Sequence, residues 1–289
     1  ELGLEAFCPV DSDGVYTEEG GTYEGTFVRD ANDDVIADLE DHGHLLASES
    51  GYTVNEGHCW RCDTGIVRIV TDQWFITVTD IKEELLANIE DSEWYPQWAR
   101  DNRFRDFVED APDWNVSRQR YWGIPIPIWL PEGSADSSAN GGGDAAGGWD
   151  GDMEDAIVVG DREELAERAD QDIDPEDVDL HKGTVDELTI TEDGTTYSRV
   201  GDVFDVWLDS SVATWGTVDY PSETEVFEEL WPADLIMEAH DQTRGWFWSQ
   251  LGMSTAATGD IPYKEVLMHG YANMPDGRGM SKSKGILVD

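Results

Sequence analysis

Residues 233–271 read ADLIMEAHDQTRGWFWSQLGMSTAATGDIPYKEVLMHGY, and this stretch decides the fold. Two short apolar runs, ADLIMEA at 233–239 and KEVLMHGY at 264–271, flank a helical pattern that ends at Gly259. Strand, helix and strand at this spacing predict a βαβ unit, which requires a parallel sheet and a right-handed crossover. The predicted fold class is therefore α/β.

The carboxyl end of the first predicted strand carries four polar residues. In open α/β sheets, ligands bind beyond the carboxyl ends of the strands. This rule places Glu238, His240, Asp241 and Gln242 at a ligand-facing edge. Asp241 is also placed to cap the helix that follows, and His240 fits a hydrogen-bonding residue at the helix start as well as a catalytic one.

Outside this stretch the sequence predicts shorter elements and one tract without a core. Residues 131–155 are rich in Gly, Ser, Ala and Asp, a composition typical of a flexible surface insertion. Helices are predicted at 31–43, 81–89 and 161–169, and a strand at 73–78. An extended segment is predicted at 125–129. A hairpin with Asp193-Gly194 at its turn is predicted at 186–200.

The composition is strongly acidic, with 64 Asp+Glu against 18 Lys+Arg and a formal net charge of -46. Such a chain is either disordered or folded in concentrated salt, where charges are screened within roughly 3 Å at about 1 M. Thirteen Trp, nine Tyr and eight Phe supply the apolar area of a real core. The composition therefore indicates a folded protein of an extreme halophile.

Cysteine usage and hydropathy indicate a cytoplasmic protein. Three cysteines are too few, and odd in number, for a secreted disulfide scaffold. No apolar run reaches the ~18 residues that a membrane span needs. The chain begins without Met and stops just after a loop-like motif, so we expect a fragment of a longer polypeptide; its oligomeric state is not indicated.

Two of the five lysines lie close together in GRGMSKSKG, at 277–285. Glycines give the backbone freedom, while Lys282, Lys284 and the neighbouring serines offer charge and hydroxyl groups. The stretch does not match the Walker pattern. It fits either a phosphate-binding loop or a solvated basic turn, and its place after the βαβ unit favours the first.

Five motifs follow one another along the chain: HCWRC at 58–62, SRQRYWGIPIPIW at 117–129, DVFDVWLDSS at 202–211, EAHDQTRGWFWSQL at 238–251 and MSKS at 280–283. Together they resemble the class I aminoacyl-tRNA synthetases for large hydrophobic amino acids, and among these the isoleucine-specific members most. The resemblance implies the C-terminal half of a Rossmann-type parallel-sheet catalytic domain plus the β-rich tail of an editing insertion. It also implies a ligase that activates isoleucine with ATP and Mg²⁺ and transfers it to tRNA(Ile).

Carried over position by position, the resemblance implies roles for single residues. Lys282 would stabilise the charge that develops on the ATP phosphates, which is electrostatic transition-state stabilisation. The remaining implied positions are Ser281, Ser283 and Met280 at the phosphates and adenylate, Glu238, Asp241 and Gln242 on the adenylate, and Trp207 and Trp246 as walls of the isoleucine pocket. The family signature begins with lysine, and this chain has Gly279 at that position. The second signature lysine, Lys282, is still present.

The same resemblance implies a domain plan. Residues 1–72 correspond to the C-terminal part of the editing domain, 73–130 to a return segment, 131–200 to an acidic insertion with a small subdomain, and 201–289 to the catalytic half-domain with the MSKS loop. The His-x-Gly-His signature of the family does not occur in the sequence. We therefore expect the isolated chain neither to activate isoleucine efficiently nor to hydrolyse mischarged tRNA.

Cys59 and Cys62 have the Cys-x-x-Cys spacing of a zinc knuckle, but a structural zinc site needs four ligands. His58 and Cys8 are further donors in the sequence, and the resemblance implies that a partner pair of cysteines lies upstream. Zinc is thus a possible cofactor.

Alternatives remain open at this point. Trp207 and Trp246 also fit ordinary core packing. Arg118 and Arg120 fit either nucleic-acid contacts or ion pairs with acidic neighbours. For the whole chain, the alternatives are a valine- or leucine-specific relative and a non-catalytic zinc-knuckle RNA-binding module.

Overall fold

The computed structural model describes residues 7–53, 55–59, 62–71, 73–132, 153–280 and 285–286. Its contacts divide the chain into two compact units, one formed by residues 1–72 and 126–201 and the other by residues 73–125 and 202–289. This division does not identify either unit by function, so the domain plan stays a prediction. Residues 133–152, the body of the predicted insertion, lie outside the described ranges.

The described ranges contain both helices and short strands. The α-helices are α1 Asn32–Asp41, α2 Lys82–Glu90, α3 Arg105–Asp110, α4 Arg162–Arg168, α5 Lys182–Val185, α6 Val206–Ser211, α7 Ala213–Gly216, α8 Thr224–Leu230 and α9 Trp246–Thr258. The strands are β1 Phe75–Ile76, β2 Glu93–Tyr95, β3 Trp114–Asn115, β4 Ser117–Arg118, β5 Ile128–Pro131, β6 Ile157–Val158, β7 Thr189–Glu192, β8 Thr195–Arg199, β9 Val203–Phe204, β10 Ala233–Ala239 and β11 Tyr263–His269. Turns of 3-10 helix span Glu18–Tyr23, Met153–Asp155 and His240–Arg244, and a π-helix spans Ala99–Phe104.

The second unit contains a parallel sheet in the order β10-β11-β2. On one face, Ile236, Val266 and Trp94 are paired across the strands and buried. This face packs with Leu85 of α2 and Phe247 of α9 in one apolar cluster, and each fully buried large side chain contributes about 1.5–3 kcal/mol. The predicted βαβ unit, β10–α9–β11, and the α/β fold class are confirmed.

Helix α9 is buried along most of its length, because it is covered by the sheet, by α2 and by α6. It ends where the sequence predicts, at Gly259, which adopts the left-handed conformation with φ 81° and so serves as the C-terminal cap.

The start of this helix differs from the prediction. His240–Arg244 form a 3-10 turn, the backbone breaks at Gly245 with φ -125° and ψ -111°, and α9 begins at Trp246. The expectation that Asp241 caps the helix is wrong, since the N-cap residue is Gly245 and makes no side-chain cap. Instead, the Trp246 N–H donates to Oε1 of Gln242 at 2.9 Å. The break moves the helix start too far along the chain for Asp241 to reach it.

The first unit contains an antiparallel sheet in the order β6-β5-β8-β7. Strands β7 and β8 form the predicted hairpin, with Asp193 at φ 50° and Gly194 at φ 84° in its turn, the left-handed pair that a two-residue turn requires. The guanidinium of Arg199, which is 1% exposed, is paired with Asp186 and donates to the Ile126 carbonyl at 3.1 Å.

The other predicted elements have mixed outcomes. Helices 31–43, 81–89 and 161–169 correspond to α1, α2 and α4, and the extended segment 125–129 leads into β5. The strand predicted at 73–78 is limited to the two residues of β1. None of the described helices is long and apolar enough to cross a membrane.

Candidate functional site

The carboxyl edge of the parallel sheet is formed by the last residues of β10 and β11, which are in register as Glu238–Met268 and Ala239–His269. Glu238 is exposed there, as the sequence predicts. The His240 ring lies 4.4 Å from the Tyr271 ring, centroid to centroid. The structure thus gives His240 an aromatic contact at this edge.

Trp207 and Trp246 each make a contact between α6 and the start of α9. The indole N–H of Trp246 donates to the Ser210 carbonyl of α6 at 2.9 Å. From α6, the Trp207 ring lies so close to Gly245 that a Cβ added there would be 3.1 Å from a ring carbon. Trp207 is 40% exposed, which is unlike ordinary core packing. The structure therefore places both residues where α6 contacts the start of α9, while their role as pocket walls stays a prediction.

Gln242 connects this region to the sheet edge. Its side-chain oxygen accepts the Trp246 N–H, and its side-chain N–H donates to Asp241 Oδ2 at 3.1 Å. Gln242 is half-buried, whereas Asp241 is exposed. Asp241 is thus accessible to a ligand. Gln242 bonds both the Asp241 carboxylate and the first turn of α9.

Asp205 fixes the start of α6, a role that sequence reasoning missed. Its carboxylate, 7% exposed, accepts the backbone N–H of Trp207 at 2.7 Å and is ion-paired with Arg118. The Arg118 guanidinium also donates to Asn115 Oδ1 at 2.8 Å and to the Ser117 carbonyl at 2.7 Å. Of the two interpretations of Arg118 that the sequence leaves open, the structure shows the ion pair with an acidic neighbour. This pair connects α6, which carries Trp207, to β4.

Replacing Arg118 by alanine is expected to destabilise the chain by about 1–3 kcal/mol, because it leaves a nearly buried carboxylate unpaired while Arg118 itself is partly exposed. Urea unfolding of the wild type and the variant measures this. Arg120 is exposed and makes no ion pair with a described residue, so Arg120→Ala is the matched control. Equal stability of Arg118→Ala and Arg120→Ala would contradict the assignment.

A second carboxylate of α6, Asp209, is strained electrostatically. Burial, and next the charge of Asp205, raise the pKa of Asp209 above its ordinary value. Its Oδ1 atom is buried and has no hydrogen-bond partner among the residues described.

A groove of about 380 Å³ opens next to Trp207. Neither Glu238 nor Trp246 contributes to its wall. The residues that line it are Phe107, Ala111, Pro112, Asp113, Trp114, Asn115, Arg118, Trp207, Arg244, Gly245, Trp248 and Ser249.

The predicted phosphate-binding loop is only partly described. Ser281, Lys282 and Ser283 lie outside the described residues, and Met280 is 45% exposed. The chain reaches this point through a tight turn, in which the Gly277 N–H donates to the Met274 carbonyl at 2.8 Å.

The predicted metal ligands Cys59 and Cys62 lie in the first unit. Hydrogen bonding to the Thr64 hydroxyl, and then to its backbone, lowers the pKa of the Cys62 thiol to about 7. Within the described part of the chain, no group of three or more His, Cys, Asp or Glu side chains is arranged to hold a metal ion. The described donors thus do not complete a four-ligand zinc site, and zinc stays a prediction.

The parallel sheet and the order of the motifs agree with the class I synthetase fold. The sequence model of the family described as tRNA synthetases class I (I, L, M and V) matches residues 29–289, and the chain belongs to this family. Two curated relatives are both named isoleucine–tRNA ligase. That of Haloarcula marismortui is 82% identical over 289 residues, which are 100% of this chain and 26% of the relative. That of Halobacterium salinarum is 71% identical, with the same shares of 100% and 26%.

The chain thus spans about a quarter of the length of these relatives. Both come from halophiles, in agreement with the acidic composition. Among solved structures, one match is methionyl-tRNA synthetase of Mycobacterium tuberculosis bound by methionyl-adenylate. The match covers 80% of this chain and 32% of the synthetase, at 18% identity and a TM-score of 0.44.

Proposed function

We propose that this chain is the part of an isoleucine–tRNA ligase that holds the amino-acid wall and the phosphate loop. The complete enzyme would join the isoleucine carboxylate to the α-phosphate of ATP and then pass the acyl group to the terminal ribose of tRNA(Ile). The observation that carries this proposal is the identity of 82% over the whole chain with a relative of that name. We also place the protein in the cytoplasm, where its substrates are found.

The amino-acid site is assigned to the two tryptophans at the start of α9. An apolar slot beside indole rings suits a branched aliphatic side chain. Because Trp246 is held by the Ser210 carbonyl and Trp207 rests against Gly245, both rings are fixed before a ligand arrives. Such preorganisation favours binding, since little side-chain entropy is lost.

The nucleotide site is assigned to the carboxyl edge of the sheet. Glu238 and Asp241 are exposed there and would hold the adenylate and its ribose, with Met280 of the signature loop nearby in the sequence. Lys282 would neutralise charge as pyrophosphate leaves, with Ser281 and Ser283 positioning the phosphates. Mg²⁺ would accompany ATP and shield the phosphate charge. No sheet-edge residue is assigned to hold the metal.

An acidic protein that binds RNA works against phosphate repulsion, because nucleic-acid affinity usually depends on phosphate neutralisation. In concentrated salt this electrostatic contribution is small in any case. Recognition of tRNA would then depend mainly on shape and on base stacking.

The reaction is tested by amino-acid-dependent exchange of pyrophosphate into ATP. The enzyme is a chimeric ligase, the full-length Haloarcula marismortui relative in which this sequence replaces the matching 289 residues. Isoleucine is expected to support exchange far better than valine, because the methylene that valine lacks contributes about 1–3 kcal/mol in an apolar pocket, the established range for enzymes of this class. Leucine, an isomer that branches one carbon further along, is expected to support less exchange because its shape does not match the same slot. Equal rates with valine or leucine would contradict the isoleucine assignment. No exchange with any of the three, with tRNA still bound, would favour the RNA-binding module.

A further inference from the structure

The 3-10 turn His240–Arg244 connects the carboxyl end of β10 to α9. Asp241, which we assign to the adenylate, is exposed on this turn. A 3-10 turn has poorer hydrogen-bond geometry than an α-helix, and runs longer than about four residues are uncommon. The position of Asp241 therefore depends on the side-chain contacts that hold the turn in place.

Thr243 is the buried residue of this turn. It is 0% exposed, whereas Asp241 and Arg244 are exposed. Its hydroxyl donates to the His240 carbonyl at 2.6 Å, which is at the short end of the range for O–H···O bonds. The bond runs from the fourth residue of the turn back to the first, and it therefore closes the segment that carries Asp241.

The same hydroxyl also faces the sheet. Thr243 Oγ1 lies 3.9 Å from Sδ of Met268 on β11. Met268 is buried and in register with Glu238 at the carboxyl edge. Methionine sulfur is only a weak acceptor, so this contact is mainly packing. It places the Thr243 hydroxyl between the turn and the strand pair that carries Glu238.

The other end of the turn is held by different bonds. The Gly245 N–H donates to the Gln242 carbonyl at 3.1 Å, and the Trp246 N–H donates to Gln242 Oε1 at 2.9 Å. Both bonds connect Gln242 to α9, and neither reaches His240. The backbone of His240, directly before Asp241, is instead held by the hydroxyl of Thr243.

We propose that Thr243 is a positioning residue for the adenylation step. Its buried hydroxyl holds the turn so that Asp241 is presented at the same sheet edge as Glu238. A side chain without exposed surface does not touch a ligand, so its effect on the reaction passes through the turn. A displacement of about 1 Å in a reactive arrangement lowers a rate about 100-fold. The inference rests on the proposed function, because it concerns the same adenylate site.

The test compares substitutions of Thr243 in the chimeric ligase. Thr243→Val retains the branched shape and removes the hydroxyl, whereas Thr243→Ser retains the hydroxyl and removes the methyl group. Both should lower the melting temperature, because one loses a buried hydrogen bond and the other loses buried apolar area. Only Thr243→Val should lower kcat of isoleucine-dependent pyrophosphate exchange, by roughly ten- to a hundredfold.

The expected loss lies in kcat, with KM for ATP and for isoleucine nearly unchanged. An interaction that is realised fully only in the transition state lowers kcat and kcat/KM equally when it is removed. Thr243→Ala gives a second comparison that does not need the valine variant to fold. Alanine and serine both lack the methyl group and differ only in the hydroxyl, so Thr243→Ala should lose kcat and Thr243→Ser should retain most of it.

Thr255 provides the matched control in the same unit. It is 5% exposed, and its hydroxyl accepts the side-chain N–H of Asn88 at 2.9 Å, near the far end of α9. Thr255→Val also removes a buried hydroxyl with a hydrogen-bond partner. It should lower the melting temperature and leave exchange unchanged, which separates a loss of positioning from a loss of stability.

Each outcome decides the proposal. A wild-type kcat in Thr243→Val would overturn it, and so would equal kcat values for the alanine and serine variants or equal losses in Thr243→Val and Thr255→Val. If the unsubstituted chimera shows no exchange, the proposed function fails and the positioning role fails with it. If the unsubstituted chimera is active and Thr243→Val is equally active, only the positioning role fails.

Discussion

Replacing Lys282 by alanine in the chimeric ligase is expected to slow isoleucine-dependent pyrophosphate exchange by about 100- to 1,000-fold. This is the usual loss when one preorganised group that stabilises transition-state charge is removed. Isoleucine and tRNA binding should change little, because the ammonium acts on the phosphates as pyrophosphate leaves. The exchange rate at saturating isoleucine and ATP measures the effect directly.

Lys284 gives the matched control for this substitution, since it lies two residues away in the same basic stretch. Lys284→Ala should retain most of the exchange rate, because the family resemblance assigns the phosphate contact to Lys282. Equal losses for the two variants would mean that the loop attracts ATP by general charge. A loss of tRNA binding with normal exchange in Lys282→Ala would contradict the role of Lys282 in the activation step.

Replacing Gly245 by alanine is expected to lower kcat/KM for isoleucine roughly ten- to a hundredfold, since forcing atoms into a packed site costs about 1–3 kcal/mol. The new Cβ would be 2.7 Å from Gln242 Oε1 and 3.1 Å from the Trp207 ring. Either the bond from Gln242 to the start of α9 breaks or Trp207 moves. Both changes alter the proposed isoleucine wall, so the increase in KM for isoleucine should exceed that for ATP.

Gly216 is a suitable control for the glycine substitution. A Cβ added there would meet Val212 Cγ2 at 3.6 Å, an ordinary contact. Gly216→Ala should therefore behave like the wild type. If Gly245→Ala retains normal isoleucine kinetics with normal thermal stability, then Trp207 does not form the amino-acid wall.

The sequence predicts the parallel βαβ unit well because its elements are local. The runs at 233–239 and 264–271 are apolar enough to be recognised alone, and Gly259 ends the helix between them. The hairpin turn at Asp193-Gly194 is likewise decided by adjacent residues. In each case the conformational preference of neighbouring residues and the fold agree.

The site itself depends on contacts between distant parts of the chain, which local patterns do not contain. The pairing of Arg118 with Asp205 and the approach of Trp207 to Gly245 join separate segments. The break at Gly245 was missed because the helical pattern continues through residues 240–245 without a proline. A glycine directly before the paired aromatic residues Trp246 and Phe247 was the available signal.

The motif resemblance predicts the roles of single residues. The structure shows where these residues lie, but it does not test their roles. Glu238 and Asp241 are exposed at the expected edge, and Trp207 and Trp246 both lie where α6 contacts the start of α9. Lys282 lies outside the described residues, so its role depends on the resemblance and on the substitution above.

The most direct measurement is a crystal structure of the chimeric ligase bound to a non-hydrolysable isoleucyl-adenylate analogue with a sulfamate in place of the phosphate. The account predicts that the isoleucine side chain lies between Trp207 and Trp246, with Glu238 in hydrogen-bonding distance of the analogue and Lys282 next to its sulfamate. An analogue bound elsewhere, or an amino-acid side chain that contacts neither indole, would contradict it.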